Sequence, residues 1–198
     1  MSGSNPFDYP WWLASRSAGI VAFVALTAAV VLGLVMATRL APVKSRAAVR
    51  VAHERLALIA LAAVGAHGLF LLGDPWLKPG LSGLLLPFTM SHRPLWTGLG
   101  VSAAYLAAAL SLTYYVRRRI GTKRWRKAHR FIPIAWAIAA AHMLGTGSDA
   151  GTIWMDALFA ASVASVGVLL GYRLLKPGPA APRARRPVGA PPPALRID

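Results

Sequence analysis

The chain has 198 residues, of which 56% are apolar and 14% are charged, and its formal net charge is +16 at pH 7. It contains uncharged stretches of about 20 apolar residues, enough to cross the hydrocarbon core of a bilayer, and this excludes an ordinary soluble domain. The lack of cysteine excludes disulfides, thiolate-held iron–sulfur clusters, thioether-attached cofactors and cysteine catalysis.

Hydropathy predicts an all-α membrane helix bundle with about five transmembrane spans. In chain order, the spans are expected at 12–37, 51–72, 95–116, 125–144 and 153–175. The fourth span is cleanly apolar only over 131–144, which is too short to cross alone, so it is taken to start near Trp125. We expect an outer N-terminal segment at 1–10, a membrane domain at 11–176, and a disordered cytoplasmic tail rich in Pro, Ala and Arg at 177–198.

The positive charges predict the orientation. With five spans, all but three of the 22 Lys and Arg residues fall on one side, and the exceptions are Arg16, Lys78 and Arg93. Because basic residues stay on the cytoplasmic side, we expect the N-terminus outside and the C-terminus in the cytoplasm of a multi-pass protein of the plasma (inner) membrane. The clustering beside apolar spans favours lipid as the partner of this charge and argues against nucleic acid.

Four histidines form two spaced pairs within these spans. His53 and His67 belong to the second span, and His129 and His142 belong to the fourth. Histidine is costly inside a bilayer, so each is a functional candidate, with polar contacts between helices as the alternative. With a rise of 1.5 Å per residue, the two histidines of each span lie about 20 Å apart along the helix. The two helices therefore offer histidines at matching depths. His53 with His129 on the inner side, and His67 with His142 on the outer side, are thus expected to hold two haems.

Helical rotation supports the second span better than the fourth. At about 100° per residue, a step of 14 residues returns to within about 40° of the same face, whereas a step of 13 misses it by about 140°. Pro133 follows His129 by four residues, and proline kinks a helix, so the fourth span is expected to bend. Small residues surround the pairs and suit either a flat cofactor or close helix packing: Ala60, Ala63, Gly65, Ala66, Gly68, Ala139, Ala140, Ala141 and Gly145.

The paired spacing resembles that of the ferric-reductase-like transmembrane family, which includes the membrane parts of NADPH oxidases, over about residues 11–175. Segment 124–130 resembles that family's basic, Trp-containing approach to its inner histidine, and 145–150 is similar to small bacterial members. The chain also resembles the haem subunit of the periplasmic methionine sulfoxide reductase system. The resemblance implies that the four histidines are axial iron ligands of two b-type haems and that Arg16 lies near the outer one.

The resemblance implies a di-haem protein that moves electrons from a cytoplasmic-side donor to an acceptor outside. Full-length oxidases have six spans and continue into a flavin and nicotinamide domain, whereas five spans and no Gly-rich dinucleotide fingerprint are found here. We therefore expect an oxidoreductase, or its membrane haem subunit, with a separate flavoprotein or quinol as donor. The alternatives are a quinol-oxidising haem subunit of a periplasmic reductase and a cofactor-free transporter or structural membrane protein.

Three further residues are candidates for a functional role, and no catalytic side chain is predicted. His92 is expected in a solvated outer loop, with contact to an acceptor or a metal as the alternative. Arg93, on the same side, is a candidate partner for haem propionates. Glu54 is expected to be a helix-start carboxylate, and contact with a ligand or a quinol is the alternative.

Overall fold

The computed structural model describes residues 9–175, which are all-helical and contain no strand. Most of the expected outer segment 1–10 and the whole of the expected tail 177–198 lie outside the described residues. The α-helices of the described part are α1 (Pro10–Ala37), α2 (Arg46–Leu72), α3 (Gly80–Leu85), α4 (Pro94–Leu112), α5 (Arg117–Ile120), α6 (Thr122–His129), α7 (Ile132–Thr146) and α8 (Ile153–Leu175).

Four of the described helices are long and apolar enough to cross a membrane. They are α1, α2 with the short 3-10 turn before it, α4 and α8. Large apolar side chains on these helices face outward, including Leu58, Leu69 and Val168, as expected of helices surrounded by lipid. The prediction of an all-α chain with membrane-length helices is thus confirmed for the described residues.

The expected fourth span is divided into two helices. α6 ends at His129, α7 begins at Ile132, and residues 130–131 form a turn between them. Pro133 lies in the first turn of α7, where its missing N–H is tolerated and its fixed φ suits helix initiation. The expected bend is therefore a break before Pro133, and α7 alone, with 15 residues, rises only about 22 Å.

Four of the described helices form two antiparallel pairs. α1 packs along α2, α4 packs along α7, and α1 also contacts α7 and α8. The main core cluster combines residues of α1, α7 and α8 and includes Phe23, Val30, Trp136 and Val166. The buried indole Nε1 of Trp136 donates a 2.9 Å hydrogen bond to the Thr27 hydroxyl, which satisfies the only polar atom of that ring.

Basic residues collect at one end of the bundle. This end, called the basic end below, carries the α1–α2 turn at 38–45 and the segment 113–131 between α4 and α7. The opposite end, called the far end, carries the loops 73–93 and 147–152. The described Lys and Arg residues near the far end are Arg16, Lys78 and Arg93.

Candidate functional site

The four membrane histidines meet as two facing pairs. The ring centroids of His53 on α2 and His129 at the end of α6 are 6.2 Å apart, with an angle of 86° between the ring planes. The centroids of His67 on α2 and His142 on α7 are 6.3 Å apart, with an angle of 75°. The first is called the basic-end pair and the second the far-end pair. The structure thus brings one histidine of α2 beside the end of α6 and the other beside α7, in the pairing that was predicted.

The separations suit two ligands on one metal atom. Two imidazoles bound to opposite sides of a metal through bonds of about 2.0–2.1 Å have ring centroids about 6.4 Å apart, since a centroid lies about 1.2 Å from each nitrogen. Both observed separations, 6.2 Å and 6.3 Å, are close to this value. The ring planes can turn independently about the nitrogen–metal–nitrogen axis, so the large interplanar angles are compatible with it.

Each imidazole is held through Nδ1 by a backbone carbonyl of a neighbouring helix. The acceptor is Ala29 for His53 at 2.8 Å, and Ser15 for His67 at 2.8 Å. A carbonyl can only accept, so each Nδ1 carries the proton and the Nε2 of the neutral ring keeps its lone pair. This bond fixes the tautomer and the orientation of a ligating histidine and raises its basicity.

The partners of the other two histidines lie on α4. The carbonyl of Leu110 accepts from Nδ1 of His129 at 3.0 Å, and the carbonyl of Trp96 accepts from Nδ1 of His142 at 2.9 Å. α1 therefore supports the histidines of α2, and α4 supports those of α6 and α7. On each supporting helix the two acceptors are 14 residues apart, which equals about 21 Å of helical rise.

The hydroxyl of Ser15 adds a second contact at the far-end pair. Its Oγ lies 3.0 Å from Nδ1 of His67 and donates to the carbonyl of the same residue at 3.0 Å. Ser15 is only 2% exposed, so this polar group is buried with its hydrogen bonds satisfied. The sequence did not single it out.

Three glycines on the supporting helices face histidine rings. A Cβ at Gly19 would lie 3.1 Å from Nδ1 of His67, and one at Gly33 would lie 3.2 Å from Cε1 of His53. The tightest is Gly100, where a Cβ would lie 2.5 Å from the His142 ring. Sequence reasoning missed these glycines, although the spacing of 14 between Gly19 and Gly33 repeats that of the α2 histidines.

The small residues expected beside the histidines have mixed surroundings. A Cβ at Gly68 would lie 2.8 Å from Leu84, and one at Gly145 would lie 2.0 Å from Trp96. These two glycines therefore make room for side chains, which is the helix-packing alternative. A Cβ at Gly65 meets no atom within 4 Å.

Arg16, expected near the outer cofactor, binds a carboxylate in the structure. Its guanidinium donates to both oxygens of Asp149 in the α7–α8 loop and lies 5.3 Å from the Trp12 ring centroid. Arg93, at the start of α4, donates to the Gly145 carbonyl at the end of α7. Both arginines therefore fasten helices together at the far end, and contact of Arg16 with a cofactor stays a prediction.

The basic-end pair has an unpartnered hydrogen-bond donor beside it. The Trp125 ring stacks on His129 with centroids 5.1 Å apart. Its buried Nε1 has no hydrogen-bond partner among the described residues. A buried donor without an acceptor costs free energy, so an acceptor group bound beside His129 would stabilise this region.

The remaining predicted candidates are His92 in the 73–93 loop and Glu54 on α2. His92 stands apart from the four membrane histidines, with its ring 5.3 Å from that of the exposed Trp76. Glu54 is the ninth residue of α2, so the expectation of a helix-start carboxylate is wrong. Its carboxylate accepts a 3.0 Å hydrogen bond from the Tyr115 hydroxyl.

The donor set fits a haem better than a bare metal ion. No group of three or more His, Cys, Asp or Glu side chains within residues 9–175 is placed to hold a metal, and each pair offers two imidazoles. A haem supplies four equatorial nitrogens and needs only two axial ligands from the protein.

Comparison with protein-family models, curated proteins and solved structures finds no match to this chain.

Proposed function

We propose that this chain is a membrane electron-transfer protein that holds two b-type haems, one at each histidine pair. In this proposal electrons pass from a donor on the cytoplasmic side to an acceptor outside, as in the ferric-reductase-like family. The observation that carries it is the facing of two imidazole pairs at 6.2 Å and 6.3 Å. The proposal further takes the basic end as cytoplasmic, in line with the positive-inside rule, and counts α6 with α7 as a fifth span.

The residues of this chain would position the cofactor rather than react. His53 with His129, and His67 with His142, would hold the haems, which would supply one-electron chemistry when bound. The carbonyls of α1 and α4 hold all four rings through Nδ1, which keeps each Nε2 available as a ligand. Because the protein would hold each haem through two histidines, the donor and the acceptor are expected to meet the protein at its two ends.

One contact supports a quinol as the donor. The Glu54 carboxylate follows a predicted ligand, His53, in sequence and accepts a hydrogen bond from the exposed Tyr115 at the basic end. A quinol releases protons together with its electrons. A carboxylate beside the basic-end pair can receive these protons. This favours the second candidate function, a quinol-oxidising membrane subunit that serves a separate reductase.

The first experiment measures haem per protein and the reduced-minus-oxidised spectrum of the purified chain. We expect a ratio near two with six-coordinate, low-spin spectra. His67→Ala should lower the ratio to near one, because the far-end pair loses a ligand. His92→Ala is the matched control and should keep both haems.

Two outcomes would contradict the proposal. A purified, folded protein without a Soret band would favour a cofactor-free transporter or structural protein. Unchanged haem content in His67→Ala would show that the far-end pair is not a ligand pair.

A further inference from the structure

A cavity of about 210 Å³ opens at the basic end, where α1 turns into α2. It lies outside the histidine pairs and contains none of their residues. Its lining comes from the last turn of α1, the turn that follows it and the start of α2: Met36, Arg39, Ala41, Arg46 and Arg50.

The cavity gathers positive charge without a carboxylate. Three of its lining residues are arginines, and the ion pair found among the described residues, Arg16 with Asp149, is at the far end. Arg46 donates through Nε to the Ala41 carbonyl at 3.3 Å, which holds its side chain across the turn. The neighbouring carboxylate, Glu54, accepts from Tyr115 instead.

The arginines also stand at the unfavourable end of a helix. Arg46 is the first residue of α2, and Arg50 lies one turn further along the same face. The N-terminus of a helix carries a positive partial charge, so cations are favoured at the other end and anions at this one. Arginines at positions i and i+4 also repel each other. An anion in the cavity would relieve both effects.

The rest of the lining indicates what carries the anion. Met36 and the buried Ala41 give the cavity an apolar side. Met36 belongs to the last turn of a membrane-length helix, so the cavity lies where α1 leaves its apolar zone. Apolar surface beside several arginines at the boundary of a span matches a phospholipid, whose phosphate sits at the interface above its acyl chains.

We propose that this cavity binds the phosphate group of an anionic phospholipid through Arg39, Arg46 and Arg50. Guanidinium groups suit this role because their planar donors match phosphate oxygens in pairs. The lipid would join the end of α1 to the start of α2 and neutralise the positive charge there. The proposal does not depend on the proposed electron-transfer function, because the site includes no histidine.

The test compares two triple variants of the full chain that lose equal charge. Arg39→Gln/Arg46→Gln/Arg50→Gln changes the cavity. The control changes exposed arginines of the segment 113–131, also at the basic end: Arg118→Gln/Arg119→Gln/Arg126→Gln. Each protein is reconstituted in nanodiscs of phosphatidylcholine with a minor fraction of phosphatidylglycerol, then released into detergent, and bound lipid is counted by native mass spectrometry.

We expect the wild type and the control to retain one phosphatidylglycerol per chain, and the cavity variant to lose at least tenfold in occupancy. Equal loss in both triple variants would overturn the proposal in favour of diffuse charge attraction, and retention in the cavity variant would overturn it outright. Displacement of the lipid by millimolar inorganic phosphate would identify free phosphate as the ligand and overturn the lipid assignment. Arg50→Glu, which changes one exposed side chain, should also lose the lipid and decides the matter if the triple variant does not fold.

Discussion

Of the described glycines that face a histidine ring, Gly100 makes the closest approach, and the ring that it faces is His142. A methyl group there would lie 2.5 Å from two ring atoms of His142, closer than real contacts allow, so the ring must move. Because that ring is held by the Trp96 carbonyl, a shift would also break the bond that orients it. We therefore expect Gly100→Ala to lose the far-end haem and to lower the haem-to-protein ratio from near two to near one.

The control for this variant is Gly167→Ala in α8, where the added methyl meets no atom within 4 Å. Gly167→Ala should keep both haems. It should not destabilise the protein, because alanine has a higher helix propensity than glycine. Equal haem content in the two variants would contradict the packing of His142 against Gly100 and, with it, the assignment of the far-end pair.

The sequence could predict the histidines but not their supporting residues. A charged or titratable residue in an apolar span stands out by itself, and the depth of His53 and His67 follows from helical rise alone. Gly100 and Ser15 give no such signal, because their role depends on which helix lies beside them. Backbone carbonyls carry no sequence signal at all, so the Nδ1 acceptors could come only from the structure.

At the scale of helices, one ion pair joins the start of α1 to the loop between α7 and α8. Arg16 donates to both oxygens of Asp149, whose side chain is only 12% exposed. Because hydrogen bonds to charged groups in partly buried positions contribute about 1–3 kcal/mol, Asp149→Asn should lower the melting temperature in detergent by several degrees. The control, Asp156→Asn, changes an exposed carboxylate and should have little effect. Equal melting temperatures for the two variants would contradict the role of the pair.

The break between α6 and α7 shows how far helical periodicity can predict an element. A spacing of 13 residues between His129 and His142 cannot place both on one face of a regular helix, so a departure from ideal geometry was predictable. Its form was not. Pro133 is compatible both with a kink inside a helix and with the start of a new one, and the structure has the latter, with the turn at 130–131.

For the whole molecule, the two antiparallel helix pairs follow one plan. α1 presents acceptors at Ser15 and Ala29 to the histidines of α2, and α4 presents acceptors at Trp96 and Leu110 to those of α6 and α7. Each supporting helix carries its acceptors at the same spacing as the α2 histidines. The two histidines of each pair therefore come to the same level because α1 and α4 carry acceptor carbonyls at equal spacing.

This plan predicts that α6 and α7 cross the membrane together, although α7 alone is too short. α4 is long and apolar enough to span, and its contacts with His129 and His142 hold α6 and α7 along its length. Because the chain has no cysteine, a single introduced cysteine reports its side of the membrane. With a membrane-impermeant maleimide on intact cells, Lys78→Cys and Ser148→Cys should be labelled, whereas Lys123→Cys should react only after permeabilisation.

Labelling of Ser148→Cys distinguishes a chain with five spans from a chain with four. If only the four long helices crossed, the chain between α4 and α8 would stay on the side of Lys123, and Ser148→Cys would be labelled only after permeabilisation. The Arg93 contact with the Gly145 carbonyl argues for the other outcome, because it holds the end of α7 at the start of α4. Labelling of Ser148→Cys in intact cells would place the two ends of the α6–α7 segment on opposite sides of the bilayer. The two histidine pairs would then lie at different depths of one membrane.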